Sequence, residues 1–208
     1  GELEPATSAY AAAIATLHEL GERALLAHAL GRRGELLLEH QLLHEAHPDL
    51  IAAGSIMREL GERRGEARLL GLSGELQLTV GAAPLAREAL RRATLRLREL
   101  GAVALEARFT ASLATVLARC DEAAHAAQAI DRAERLARSA PAATRALITC
   151  RRGLVELERQ QSSLARQRLR DAREVANVQQ LRRTHPLNNA IDELAAAIDS
   201  RTDSRGHG

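Results

Sequence analysis

Three histidines stand close together in the first quarter of the chain. His40, His44 and His47 form His-x3-His-x2-His, with Glu39 and Glu45 beside them. Imidazoles four residues apart share one face of a continuous helix, and such a face can hold a metal ion. The chain's internal register places a turn at Gln41, which separates His40 from the other two. No His-Glu-x-x-His occurs either. The cluster therefore reads as a solvated polar turn, and no metal site is expected. Cys150 is the next candidate. A thiol nucleophile needs an oriented histidine base, and no histidine neighbours Cys150 in sequence. It reads as a small core thiol, with Cys120 at a different level of the repeating unit. Glycines are scattered and never form a phosphate-cradling loop after a strand. No catalytic residue and no cofactor are expected, and the chain reads as a binding protein rather than an enzyme.

The arginines offer a different chemistry. Pairs stand at Arg32-Arg33, Arg63-Arg64, Arg91-Arg92 and Arg151-Arg152, and every basic residue is arginine. Glu35, Glu62 and Glu66 lie at helical distance from them. That pattern reads as a solvated, ion-paired helix surface, worth about 0.3–0.5 kcal/mol per pair. The formal net charge is only +2, with one Tyr, one Phe and no Trp. A nucleic-acid interface usually shows a basic face or stacking rings, so nucleic acid is not an expected partner.

The elements that carry these residues must be helices. Ala, Leu, Arg and Glu dominate, and all enter helices at little cost. β-Branched and aromatic residues, which sandwiches and barrels need, are scarce. No apolar run approaches the roughly 20 residues that span a bilayer. No signal peptide is visible, and a cytoplasmic location is expected.

The helices repeat. Glu19-Leu20-Gly21, Glu59-Leu60-Gly61 and Glu99-Leu100-Gly101 recur 40 residues apart, and Arg32-Arg33-Gly34 returns as Arg151-Arg152-Gly153. On that register the columns are Ala27, Ala67, Ala107, Ala146; then Gly34, Gly74, Ala114, Gly153; then Ala46, Ala86, Ala126, Ala165; then Ala53, Ala93, Ala133, Ala172. Larger columns read Leu36, Leu76, Val116, Val155 and Leu50, Leu90, Ile130, Leu169. Small residues at fixed places let two helix backbones approach, and the aliphatic columns fill the space between pairs. The Gly of each Leu-Gly stands where a helix end takes a left-handed residue.

This pattern resembles the tetratricopeptide repeat, in the 40-residue variant of large bacterial signalling and transcription regulators. The small residue inside the first helix and the two Ala columns of the second carry the resemblance, over about residues 6–181. The large aromatic residues of the motif are mostly absent. The Leu before the small residue is replaced by Arg33, Ser73 and Arg152. The resemblance implies an all-α, right-handed superhelix of helix pairs. Four units are expected at about 23–60, 63–100, 103–138 and 142–181, with a half-unit at 6–20 and a capping helix at 187–199. Residues 201–208 read as a disordered tail. Pro48 and Pro84 fall near the starts of second helices; Pro48 sits deeper, so a late start or an irregular turn is expected there. Pro141 is expected in a first helical turn. The half-unit leaves Tyr10, Ile14 and Leu17 short of a covering helix. That suggests a longer parent protein, with more repeats or another domain before this segment, or a homodimer through this helix.

In this repeat class the first helices line a concave groove. The expected groove residues are His28, Arg32, Glu35 and Glu39 in the first unit, and Arg68, Leu72, Glu75 and Thr79 in the second. Arg108, Ser112, Thr115 and Arg119 follow in the third, and Arg151, Leu154 and Glu158 in the fourth. Arg68, Arg108, Arg119 and Arg151 offer planar forks for the carboxylates of a peptide. Few aromatics line this face, so micromolar affinity is expected, about −8 kcal/mol. The implied role is a protein-interaction or scaffold module, the sensor or regulatory end of a larger bacterial signalling protein. It would bind a protein or peptide, or pack on the parent's N-terminal domain. The alternative is a small-molecule effector site inside the superhelix of a transcription regulator.

Overall fold

The computed structural model describes residues 3–181 and 185–203. Among them lie ten α-helices and no strand: α1 (Leu3–Glu19), α2 (Arg23–Glu39), α3 (Leu43–Glu59), α4 (Arg63–Thr79), α5 (Ala83–Glu99), α6 (Val103–Arg119), α7 (Ala123–Leu136), α8 (Ala142–Glu158), α9 (Ser162–Val178) and α10 (Pro186–Asp203). Helices α2–α3, α4–α5, α6–α7 and α8–α9 are antiparallel pairs, each stacked on the next, which makes an all-α helical-repeat superhelix.

The turns explain the regular spacing. Gly21, Gly61, Gly81 and Gly101 all have positive φ, between 62° and 80°. At each one the chain makes the same pair of backbone bonds. Around Gly21, its N–H donates to the His18 carbonyl at 3.2 Å and Glu22 N–H donates to Leu17 at 3.0 Å. This left-handed cap satisfies the last carbonyls of one helix and starts the next within three residues. Gln41, Asp121, Gln160 and Gln180 take the same left-handed conformation without being glycine. No start of α2 to α9 carries a side-chain cap, so the turns alone set the helix ends.

The small columns are the core. Ala46, Ala86, Ala126 and Ala165 are fully buried, as are Ala53, Ala93, Ala133 and Ala172. A methyl added at Gly34 would stand 2.9 Å from Leu50, and one at Gly74 would stand 2.7 Å from Leu90. Those two glycines let α2 and α4 close on their partners. Gly153 occupies the same column but faces a different neighbour: its methyl would meet Leu194 of α10 at 2.7 Å.

The prolines depart from expectation. α3 begins at Leu43, in register with α5, and carries Pro48 inside it. The helix continues past the proline with one donor missing rather than starting late. Pro141 precedes α8 instead of joining its first turn. α7 has 14 residues where its counterparts have 17, and the loop after it has five residues where the other loops between α1 and α9 have three, which together produce the 39-residue step into the last unit. α10 begins at Pro186 and runs to Asp203, so the helix includes the first residues of the expected tail; 204–208 lie outside the described residues. α1 has no buried residue, but its Tyr10, Ile14 and Leu17 are half-buried, and Ile14 packs on the neighbouring core.

Candidate functional site

The first helices of the pairs face one another across the concave side, and their charged residues pair with each other. Arg108 on α6 donates from Nη1 to Glu35 on α2 and from Nη2 to Glu75 on α4, both at 2.7 Å. Ser112 donates to Glu75 at 2.8 Å, and Arg68 on α4 pairs with Glu35. The side chains of Glu35 and Glu75 are each 12% exposed. Burial alone would raise the Glu35 carboxyl, but Arg108 and Arg68 outweigh it and hold the group below the usual carboxylate range. Burial likewise disfavours the Arg108 cation; Glu75 and Glu35 more than offset that and hold its pKa above the ordinary value. The Arg108 guanidinium also sits 5.3 Å from the Phe109 ring. Phe109 is fully buried against Gly71, where no side chain obstructs it.

α10 crosses this face. Its Glu193 accepts from Arg151 on α8 at 2.6 Å and from Arg119 on α6 at 3.2 Å. Asn189 donates to the backbone carbonyl of Glu39, at the far end of α2. Arg201 reaches Glu158 and the Leu157 carbonyl. The apolar side of α10 is a fixed part of the core: Leu187, Ile191, Leu194 and Ile198 are 0–6% exposed, in one cluster with α8 and α9. Each such side chain contributes about 1.5–3 kcal/mol on burial, so α10 is a permanent wall rather than a loose lid.

Between α10 and the C-terminal ends of α2 and α4 lies a hollow of about 410 Å³. Glu39, Glu75, Arg108, Arg151, Asp192 and Glu193 supply its charges, and Leu38, Leu147 and Ala190 its apolar wall. Glu39 is half-buried, and among the described residues its carboxylate has no ion pair or hydrogen bond. Burial, then the nearby Glu35, raises its pKa, and Arg108 offsets only part of this.

The expected groove residues divide into four groups. Glu35, Arg68, Glu75, Arg108 and Ser112 form the internal network, while Arg119, Arg151 and Glu158 bind α10. Leu72, Thr115 and Leu154 are at most 5% exposed and lie in the core, because the small columns draw the helices too close to leave those positions facing outward. His28, Arg32, Glu39 and Thr79 line the hollows, His28 and Arg32 around a second one of about 230 Å³ and Glu39 and Thr79 on the larger one, and the α10-bound Arg119 and Glu158 also keep exposed surface. Asn189, Asp192 and Glu193 were not foreseen as site residues. α10 lies outside the repeat, and its apolar spacing signals only that it covers something.

The other candidates fall as follows. His40 caps α2, its Nδ1 2.9 Å from the Leu36 carbonyl, while His44 and His47 lie beyond the turn on α3. Among the described residues no group of three metal-ligating side chains converges. Cys150 is buried, and burial pushes its thiol up to about 12. No described helix is long and apolar enough to cross a membrane.

These features define a helical-repeat protein whose concave face is closed in part by its own last helix. A solved structure of similar fold is BtubC (BKLC) from P. vanneervenii, at 13% identity and TM-score 0.65, over 100% of this chain and 94% of that one. The likeness is one of fold alone. No family model and no curated protein matches the sequence.

Proposed function

We propose that the chain is a protein-interaction module of tetratricopeptide type that takes its partner at the open end of the concave face. One observation carries this reading. Beside the 230 Å³ hollow, Arg32 and Arg64 stand over an apolar floor of Met57, Leu69 and Leu105. Arg32 is 64% exposed and touches Glu35 only at 3.4 Å, and Arg64 makes no ion pair among the described residues. Cations beside apolar surface suit a peptide that presents a carboxylate next to an aliphatic side chain. The arginines deeper in the groove do not suit it, because carboxylates of this chain already hold them. Arg32→Ala with Arg64→Ala is therefore the informative variant. A partner captured by the parent chain and lost by the folded variant supports the reading. Equal capture by both contradicts it.

A second reading rests on the larger hollow. An unpaired, half-buried carboxylate in a preformed space of about 410 Å³ favours a small effector held inside the superhelix.

A further inference from the structure

The larger hollow has a definite charge preference. Its lining carries four carboxylates, from Glu39, Glu75, Asp192 and Glu193, against two guanidinium groups, from Arg108 and Arg151. Both guanidinium groups are already engaged. Arg108 is held by Glu35 and Glu75, and Arg151 by Glu193. Arg151 is held through Nη1 alone and its buried Nε has no partner among the described residues, so an entering anion would find one guanidinium edge open, set against four carboxylates. Among the described residues neither Glu39 nor Asp192 forms an ion pair, although Arg108 and His40 exert a partial pull on Glu39; Glu39 lies inside the hollow and Asp192 at its exposed rim. The space between them is walled by Leu38, Leu147 and Ala190. It is preformed, since α10 is fixed both by the core and by the bond from Asn189 to the Glu39 carbonyl.

We propose that this hollow binds a small organic cation, an amine on a short aliphatic stem, with its ammonium group between Glu39 and Asp192. The stem lies on the aliphatic wall, and the ammonium supplies the counter-charge that the chain leaves out. The proposal rests on the second reading above, in which the hollow is occupied, and names the ligand class for it.

Calorimetric titration of the full chain at low ionic strength tests it, with three probes of equal length: 1,4-diaminobutane, 1,4-butanediol and succinate. The diamine is expected to bind one to one with a dissociation constant below about 1 mM. Glu39→Gln together with Asp192→Asn is expected to weaken it by about tenfold or more, while Arg92→Ala, at an exposed position on α5 outside the hollow, leaves it unchanged. Circular dichroism confirms that each variant is folded. Undiminished diamine binding in the double variant overturns the proposal. Binding of succinate or the diol in place of the diamine also overturns it, but leaves the hollow a ligand site. No binding of any probe removes both.

Discussion

Arg108 and Glu35 lie 73 residues apart in sequence and meet at 2.7 Å, Nη1 to Oε1, across the concave face. With Glu75 on α4, this arginine ties the first helices of three successive units together. Its side chain is 26% exposed and those of both carboxylates 12%, so the pairing is only weakly screened. Arg108→Met is expected to destabilise the chain by about 3–5 kcal/mol, because it leaves the Glu75 carboxylate with only the Ser112 hydroxyl in a poorly hydrated place, while Glu35 keeps Arg68. Denaturant unfolding measures this. A loss below about 1 kcal/mol, typical of an exposed pair, would show that the network is solvated.

Glu39 and Glu35 respond to pH in opposite directions. The Glu39 carboxyl is raised in the folded chain, so its ionised form opposes folding above the ordinary carboxylate range, and the penalty vanishes as pH falls. Glu39→Gln is therefore expected to raise the melting temperature at pH 7, with the gain gone below about pH 4. Glu35 is held low, so its contribution is present above the ordinary range and is lost as pH falls through its depressed folded value. Glu35→Gln is expected to lower the melting temperature at pH 7, and the loss shrinks in acid. Melting curves across that range check both signs.

Gly71 lies under Phe109. A methyl there would stand 2.5 Å from the ring, against a side chain with no exposed surface to move into. Gly71→Ala is expected to destabilise by about 1–3 kcal/mol through overpacking, despite the better helix propensity of alanine. A stabilised variant would mean that the ring is free to shift.

Gln160 holds φ at 61° in the turn from α8 to α9, where glycine serves in the equivalent turn at Gly81. A side chain in that conformation costs about 1–2 kcal/mol. Gln160→Gly is expected to recover roughly 1 kcal/mol, less what the glycine loses in the unfolded chain. Thermal unfolding reads it directly, and a lower melting temperature would contradict the left-handed turn.

The repeat was legible because its columns record contacts made four times over. Ala46 and its equivalents are small for one reason in every unit, and so are Gly34 and Gly74. The left-handed glycines followed from the same repetition, whereas Gln41 and Gln160 hid the matching turns between the first and second helices. The groove was less legible. Its ion pairs join residues 33 and 73 positions apart, such as Arg108 with Glu75 and Glu35, and no periodic pattern marks which arginine is spent internally. Leu72, Thr115 and Leu154 were misplaced because the register fixes which face meets the paired helix but not how tightly neighbouring first helices close. α10 has no counterpart in the repeat. Its apolar side announced a cap, and only the fold shows that the cap lies across the concave face.

The effector reading and the cation proposal depend on that placement of α10, and a spin label at the end of α2 tests it most directly. Gln41 is exposed and shares the larger hollow with Asn189, Ala190, Asp192 and Glu193. The label is attached to Gln41→Cys in a chain also carrying Cys120→Ser, and amide signals are followed by NMR. The structure predicts that the amides of residues 189–193 broaden along with that of Thr79, which lines the same hollow. Broadening at Thr79 with sharp signals throughout α10 would place the last helix away from the concave face and contradict the account.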